Sequence, residues 1–261
     1  MSTVVFDTVN IDEITLAEPK ASRASASCKT AYIQYHGQKL RIQTPVMTTP
    51  WDLKIKQMDP SSNATCNMSL SFATETSDPE AKAFREFLNK FDEKVKSLIA
   101  EKASSFGKKA EKKSLDNNFK ESVKVSDKYP AVFSPKVWLS LKNEGGSMKD
   151  VDQVSMDMKV FDMNCEPIDF SLVTKGCPAA LIVTPSYVWV SSLGVGITWS
   201  ASECICKPTV EEECGFKMGS NFEKFKRSRT EDEDDLSNVS PKRSKDEFYD
   251  DESVGDEHVD F

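Results

Sequence analysis

The chain has 261 residues, of which 38% are hydrophobic, and this apolar content is sufficient for one sizeable core. The formal net charge is −8, but residues 231–261 hold 13 acids and 3 bases, which leaves residues 1–230 with a net charge of +2. The acidic composition therefore describes a tail attached to a mildly basic body. The first residues lack a basic start followed by an apolar core, so we expect a protein that is not secreted.

Catalytic and metal-binding patterns are sparse. Seven cysteines without regular spacing are typical of free thiols in a reducing compartment. Cys204, Cys206 and Cys214 are candidate zinc ligands, but a zinc site needs four well-spaced donors, and the two histidines, His36 and His258, lie far apart in sequence. The chain has no GxSxG, no glycine-rich phosphate loop and no HExxH. We therefore predict no metal, no cofactor and no enzymatic activity.

Strand and helix patterns begin near residue 29. TAYIQYHGQKLRIQTPVM predicts two strands around a turn at Gly37, and TCNMSLSFAT predicts a third strand. A helix follows, capped by Ser77 or Asp78, with apolar residues every three or four positions up to Ile99. The lysine-rich residues 104–128 indicate a mobile segment or broken helices.

The second half of the body returns to strand patterns, in YPAVFSPKVWLSLKN, VSMDMKVFDMNCEPIDF, AALIV, YVWV and GVGITW. Residues 176–202 carry no charge, and a helix of about 20 residues crosses a bilayer. Their many Ser, Thr, Gly and Pro residues favour buried β-hairpins, with a membrane span as the minor alternative. We predict a mainly β protein, specifically an OB-fold five-stranded barrel with one capping helix after strand 3. A β-sandwich with a packed helix is the alternative.

Three segments are predicted: an N-terminal extension at residues 1–27, an OB-fold domain at residues 28–208 and a disordered tail at residues 209–261. The tail lacks periodicity and contains two basic clusters, KFKRSR from Lys224 and PKRSK from Pro241, before its acidic end. The clusters are spaced like a two-part nuclear import signal, and additional electrostatic attraction to DNA explains them equally well.

Aromatic and basic residues are interleaved in the predicted strands. This combination suits single-stranded nucleic acid, because bases stack on aromatic faces while Lys and Arg contact phosphates. Aromatic residues in strands are more often core, and we expect about two in three of the following seven side chains to be buried: Tyr32, Tyr35, Trp51, Trp138, Tyr187, Trp189 and Trp199. The predicted DNA-binding residues are Tyr35, Lys39, Arg41, Trp51, Lys54, Lys56, Lys128, Tyr129, Lys136, Trp138, Lys142, Tyr187 and Trp189.

The last sixteen residues, DEFYDDESVGDEHVDF, are too polar to fold and yet end in Phe261. A tethered polyanion competes with nucleic acid for a cationic groove, because a disordered linker holds its end at roughly millimolar effective concentration. When DNA occupies the groove, the released tail is expected to dock into a basic, partly apolar pocket on a partner. A solubilising tract would not explain the terminal aromatic residue.

The OB-like order, TPVMTTPWDLKIK, TPSYVWVSSLGVGITW and an acidic tail closing on DF together resemble the phage-type single-stranded DNA-binding proteins, as found in large nucleocytoplasmic DNA viruses of eukaryotes. The resemblance covers about residues 30–207 and the tail. It implies an OB-fold and sequence-independent coating of single-stranded DNA in viral replication, recombination and repair. It also implies recruitment of a DNA polymerase or helicase/primase through the tail residues that match the family motif, Asp256, Glu257, Asp260 and Phe261.

Some expectations follow from the resemblance, and others compete with it. The resemblance implies action in the host nucleus or at a cytoplasmic viral replication site, without membrane association, and it leaves a homodimer open. The lysine-rich residues 104–128 and the two basic clusters depart from the family pattern. The alternative function is an acidic-tailed histone chaperone or assembly factor that binds basic proteins.

Overall fold

The computed structural model describes residues 3–22, 27–57 and 59–208, and in this part of the chain the protein is mainly β with few helices. The strands are β1 Thr3–Val5, β2 Ile14–Leu16, β3 Lys20–Ala21, β4 Lys29–Tyr35, β5 Arg41–Gln43, β6 Met47–Thr48, β7 Cys66–Asn67, β8 Leu70–Ser71, β9 Phe119–Lys120, β10 Val123–Lys124, β11 Val132–Phe133, β12 Lys136–Val137, β13 Leu139–Leu141, β14 Val154–Met156, β15 Lys159–Phe161, β16 Pro178–Ser191 and β17 Gly194–Cys206. The α-helices are α1 Pro79–Glu101, α2 Ala103–Phe106 and α3 Lys112–Asn118, and short 3-10 helices cover Phe6–Thr8, Ile11–Glu13, Lys108–Ala110, Val151–Gln153 and Phe170–Leu172.

The N-terminal residues belong to the main sheet. Strand β1 pairs in parallel with β5, while β2 and β3 pair with β4. In these pairs the backbone N–H and C=O groups of the N-terminal residues bond to other strands, whereas in an independent extension they would bond to water. The predicted boundary between residues 27 and 28 is therefore not a boundary of the sheet.

Strand pairing closes into a ring around the core. The long hairpin β16–β17 pairs along one side with β12, which pairs with β7, and along the other side with β6, which pairs with β8. Strands β7 and β8 follow each other closely in sequence, as do β11 and β12. Strand β8 pairs with β11, and β7 pairs with β12. The backbone ladder therefore returns to its starting strand, apart from local breaks.

Within the described residues the structure does not show a clear five-stranded barrel, because the main sheet contains 15 strands and a second sheet pairs β13 with β14. One of the breaks lies at Pro135, between β11 and β12, because proline has no backbone N–H to donate to the ladder. In residues 3–22, 27–57 and 59–78, eight strands, and not three, precede helix α1. The prediction of a mainly β body is confirmed.

Residues 176–202, for which a membrane span was the minor alternative, lie mainly in β16 and β17, as the predicted hairpin requires. Within the described ranges, no helix has both the length and the apolar content that crossing a bilayer demands. The predicted tail at residues 209–261 lies outside the described residues.

Helix α1 begins where the sequence predicts. The Asp78 side chain accepts hydrogen bonds from the backbone N–H groups of Glu80 and Ala81, and Pro79 occupies the first turn. The buried stripe predicted from the apolar spacing contains Phe84, Phe87, Leu88, Phe91, Val95 and Ile99. This stripe packs against aromatic residues of the sheet and so closes the core on one side.

The aromatic contacts show what the helix covers. The Phe84 ring lies 5.6 Å from that of Phe133 on β11, and the Phe91 ring lies 5.0 Å from that of Trp199 on β17. Trp199 and Phe133 also contact each other, with centroids 5.3 Å apart. Because aromatic pairs at such distances add to the free energy of burial, this cluster holds β11, β17 and α1 together.

The lysine-rich residues 104–128 form broken helices, as one of the two sequence interpretations proposed. Helix α2, a 3-10 turn and helix α3 follow one another, with Phe106, Ala110 and Leu115 buried. The segment then enters β9, which pairs with β17. The lysine-rich segment is therefore anchored to the body by apolar residues between its lysines.

A buried carboxyl group joins α1 to the sheet. Asp92 is fully buried, and its two carboxyl oxygens accept hydrogen bonds from the backbone N–H (2.7 Å) and hydroxyl group (2.6 Å) of Ser122. The Trp199 indole N–H donates to the same Ser122 hydroxyl at 2.7 Å. Burial raises the pKa of Asp92 from 3.8 to about 7, although the Ser122 hydrogen bonds act in the opposite direction.

This raised pKa predicts a pH-dependent stability. Between pH 4 and pH 7 the folded protein binds the Asp92 proton more tightly than the unfolded chain does, so the free energy of unfolding should fall as the pH rises through this window. Asp92→Asn should remove this slope. Relative to the parent, the variant should gain up to about 3 kcal/mol between pH 5 and pH 8, since one pKa unit corresponds to about 1.4 kcal/mol.

Urea denaturation of the full chain at pH 5, 6, 7 and 8 measures this slope. The exposed Asp116→Asn serves as the control and should leave the profile of the parent unchanged. A parallel offset of Asp92→Asn from the parent at every pH would contradict the assignment.

Candidate nucleic-acid interface

The hairpin β16–β17 has a core side and a solvent side. Strand alternation places Val183, Val188 and Val190 of β16 in the core, opposite Ala201, Ile197 and Val195 of β17. With two register shifts, between Ile182 and Val183 and between Pro185 and Tyr187, the core side of the hairpin stays apolar along its length. We use the term outer face for the other side, defined by Tyr32, Arg41, Lys120, Lys136, Tyr187 and Trp189.

One row of the outer face crosses four strands. Trp189 lies directly opposite Thr30 of β4 and Gly196 of β17, and Gly196 lies opposite Lys120 of β9. Residues in directly opposite positions project from the same face of a sheet. The Lys120 ammonium lies over the Trp189 ring, 5.5 Å from its centroid. This row therefore combines a half-buried indole with a cation at its side.

A second row lies two residues along β16, at a spacing of about 7 Å. Tyr187 is opposite Tyr32 of β4 and Thr198 of β17, and the two tyrosine rings meet edge to face with centroids 6.4 Å apart. Tyr32 is 46% exposed. Three aromatic rings thus project from adjacent positions of one face.

The opposite end of the outer face carries two cations with partners. Lys136 of β12 is opposite Ser200 of β17, and its ammonium lies 4.6 Å from the centroid of the half-buried Trp138 ring. Arg41 of β5 forms an ion pair with Glu203 of β17, with 2.6 Å between Nη2 and Oε1. An anionic ligand at this end would compete with Glu203 for the guanidinium group.

The outer face therefore contains four of the predicted DNA-binding residues, namely Arg41, Lys136, Tyr187 and Trp189, and a fifth, Trp138, lies beside Lys136. Sequence reasoning missed Tyr32 and Lys120 as members of the site. The separation of two residues between Tyr187 and Trp189 indicates a shared face. The neighbours on β4 and β9 follow only from the pairing of distant strands.

Tyr35 lies on the core side of β4, because it is four residues from Ala31 and two from Ile33, both of which are buried. Its hydroxyl accepts a hydrogen bond from the Asn10 backbone N–H at 3.4 Å, and its ring packs against the core. Lys39 is exposed in the turn that precedes β5. Neither residue extends the aromatic rows of the outer face.

Four of the remaining predicted residues lie near the segment after β6. Trp51 is 49% exposed, and Lys56 is exposed beside its backbone bridge to Thr65. Lys54 and Lys142 line one groove of about 490 Å³, together with apolar residues that include Met156 and Phe170.

Lys54 already has an anionic partner, because its ammonium lies 2.8 Å from the Asp52 carboxylate. The hydrogen bond from Lys54, followed by one from the Lys175 backbone, lowers the pKa of Asp52. Lys128 and Tyr129 are exposed in the loop between β10 and β11. The predicted partner-binding residues Asp256, Glu257, Asp260 and Phe261 lie outside the described residues.

The cysteines lie mostly in the core. The six cysteines within the described ranges are free thiols, and five of them are buried. Burial raises the pKa values of Cys66 and Cys177 to about 12, so both remain protonated at neutral pH. Cys214, the third candidate zinc ligand, lies outside these ranges. No group of three or more His, Cys, Asp or Glu side chains in residues 3–22, 27–57 and 59–208 is arranged to hold a metal ion.

Comparison with known proteins gives matches only among solved structures. No family model and no curated protein matches the chain. The chain is similar to gp2.5, a single-stranded DNA-binding protein of bacteriophage T7, with 11% identity and a TM-score of 0.44 over 79% of this chain and 100% of that protein. It is also similar to the single-stranded DNA-binding protein of bacteriophage Enc34 in complex with single-stranded DNA, with 10% identity and a TM-score of 0.39 over 77% and 98% of the two chains. At TM-scores below 0.5, these likenesses establish neither a shared fold nor a shared activity.

Proposed function

We propose that the protein binds single-stranded DNA without sequence preference on its outer face. The observation that carries this proposal is the set of three adjacent rings, Tyr32, Tyr187 and Trp189, beside the Lys120 ammonium. Bases stack on aromatic side chains regardless of sequence, because every base has a π-face, and each stacked base contributes about 1–3 kcal/mol. The phage proteins to which the chain is similar are named as single-stranded DNA-binding proteins, but the proposal rests on the residues of the outer face.

The cations have a separate role. Lys120 lies at one end of the outer face, and Arg41 and Lys136 lie at the other. Phosphates that reach Arg41 exchange its bond to Glu203 for a bond to the nucleic acid, so the free protein keeps this guanidinium group in place. Because cations condensed on DNA are released on binding, affinity should fall with increasing salt concentration.

The closed ring of strands, with α1 covering one side of the core, supports a further proposal that the body is of the OB type. In that class a helix caps a small barrel, and nucleic acid lies across the outside of the strands. The division of the sheet into many short strands is compatible with the OB class, since the breaks within strands do not change the order in which the segments pair.

The biological setting follows from the resemblance. We propose action in viral DNA replication, recombination and repair, in the host nucleus or at a cytoplasmic replication site. Asp256, Glu257, Asp260 and Phe261 would recruit a polymerase or a helicase/primase after DNA displaces the tail. A basic, partly apolar pocket on the partner is the complementary surface for this acidic and aromatic end.

Removal of the outer-face rings tests the principal proposal. Tyr187→Ala/Trp189→Ala should weaken binding to a labelled single-stranded oligonucleotide by tenfold or more, since stacked bases contribute about 1–3 kcal/mol each. Fluorescence anisotropy at two salt concentrations measures the affinity. Trp51 is predicted from the sequence to bind DNA but lies outside the outer face, so under the present proposal Trp51→Ala should change the affinity less than threefold.

The same titration distinguishes the alternative function. Duplex DNA should bind more weakly than single strands of equal length, because paired bases cannot reach the rings. Equal affinity for both, together with tighter binding of a basic protein such as a histone, would favour the acidic chaperone. Equal losses in Trp51→Ala and in the double variant would contradict the location of the site.

Deletion of residues 246–261 tests the role of the tail. The shortened protein should bind single-stranded DNA several-fold more tightly at low salt, because a tethered competitor at roughly millimolar effective concentration has been removed. The gain should shrink at high salt, which screens both interactions. Phe261→Ala preserves the charge of the tail and should change DNA affinity little, while it weakens partner binding. Unchanged or weaker DNA binding after deletion would be evidence against competition.

A further inference from the structure

Gly196 has an unusual relation to the Trp189 side chain. The two residues are directly opposite each other on β17 and β16, and the indole extends over the glycine. A Cβ atom at position 196 would lie 2.9 Å from Cζ2 of Trp189, closer than such atoms approach one another, and it would also lie 3.1 Å from Cε2. The ring therefore occupies the volume that any other side chain at position 196 would fill.

The backbone φ angle of Gly196 is not in the left-handed region that requires glycine, since the residues with positive φ in the described part of the chain are elsewhere. A glycine in the interior of a strand loses conformational freedom on folding and provides no side chain to pack. The close approach of the indole is the structural reason for glycine at this position. Glycine in a strand commonly marks such an approach of another group.

We propose that Gly196 is a positioning residue for DNA binding, since it lets the Trp189 indole lie against the sheet with its ring available to a base. This inference rests on the proposed function. The strand backbone supports one side of the indole, and Lys120, opposite Gly196 on β9, places its ammonium over the ring. A base that stacks on the other face of Trp189 takes the place of this ammonium, which then lies within reach of the phosphate of that base. Gly196 thereby positions the ring without contacting DNA.

Gly196→Ala should tilt the ring away from the sheet. Affinity for single-stranded DNA should fall about tenfold, whereas the slope of log affinity against log salt should stay as in the parent, because no phosphate contact is removed. Lys120→Met should instead reduce this slope by about 0.7, as expected for the loss of one phosphate contact on a single strand. Ser202→Ala, an exposed position on the same strand, is the matched control and should leave affinity and slope unchanged.

A double-mutant cycle separates positioning from a general loss of structure. In a Trp189→Ala background, Gly196→Ala should have no further effect on affinity, because its effect acts through the ring. In a Trp189→Phe background, Gly196→Ala should also cost less than threefold, since the smaller ring lacks the atoms nearest to the new methyl group. An equal tenfold loss in all three backgrounds would overturn the proposal.

Two observations keep the test decisive. Thermal unfolding and near-ultraviolet circular dichroism identify a variant that does not fold, and the Trp189→Phe pair then provides the comparison. If the parent protein fails to bind single-stranded DNA at all, the proposed function itself is wrong. If the parent binds and Gly196→Ala binds equally well, only the positioning role is wrong.

Discussion

The aromatic contact between helix α1 and the sheet determines which side of the sheet can meet a ligand. Phe84 and Phe91 pack against Phe133 and Trp199, so the side of β17 that carries Trp199 is committed to the core. Alternation along the paired strands then places Tyr187 and Trp189 on the other side. The proposed DNA-binding surface and the hydrophobic core therefore lie on opposite faces of the same sheet.

Polar contacts link the same core to the outer face. Asp92 of α1 holds Ser122, which accepts a hydrogen bond from Trp199 and is two residues from Lys120. The residue between them, Glu121, forms an ion pair with Lys96 of the same helix. These contacts fix the β9–β10 segment against α1, and they thereby fix the backbone of the lysine that lies over Trp189. Rigid support of this kind favours affinity because less side-chain and loop entropy is lost on binding.

Much of the body was predictable from local pattern. Helix α1 combines an Asp78 cap with apolar residues at helical spacing, and most of the hairpin β16–β17 lies in residues 176–202, an uncharged stretch with β-prone runs. These signals are local, since each depends on residues within one or two turns or strand repeats. The mainly β character and the broken helices of the lysine-rich segment follow from the same kind of evidence.

The members of the interface were less predictable because they come from distant strands. Tyr32 and Tyr35 are both aromatic and close in sequence, yet an odd separation places them on opposite faces of β4, and only pairing with β16 shows that Tyr32 is the outer one. Trp189 on β16 and Trp199 on β17 also lie on opposite faces of the sheet, and the register shifts near Ile182 and Pro185 prevent a simple count along the hairpin. Lys120 reaches the site through a parallel pair of β9 with β17 that composition cannot indicate.

The most direct test of the outer face as the binding surface is photo-cross-linking of the full chain to a single-stranded oligonucleotide that contains 5-iododeoxyuridine, followed by peptide mapping. Cross-links should concentrate at Tyr32, Tyr187 and Trp189, the rings on which bases are proposed to stack. Cross-links confined to Trp51 or Tyr129, with the outer-face peptides unmodified, would contradict the account.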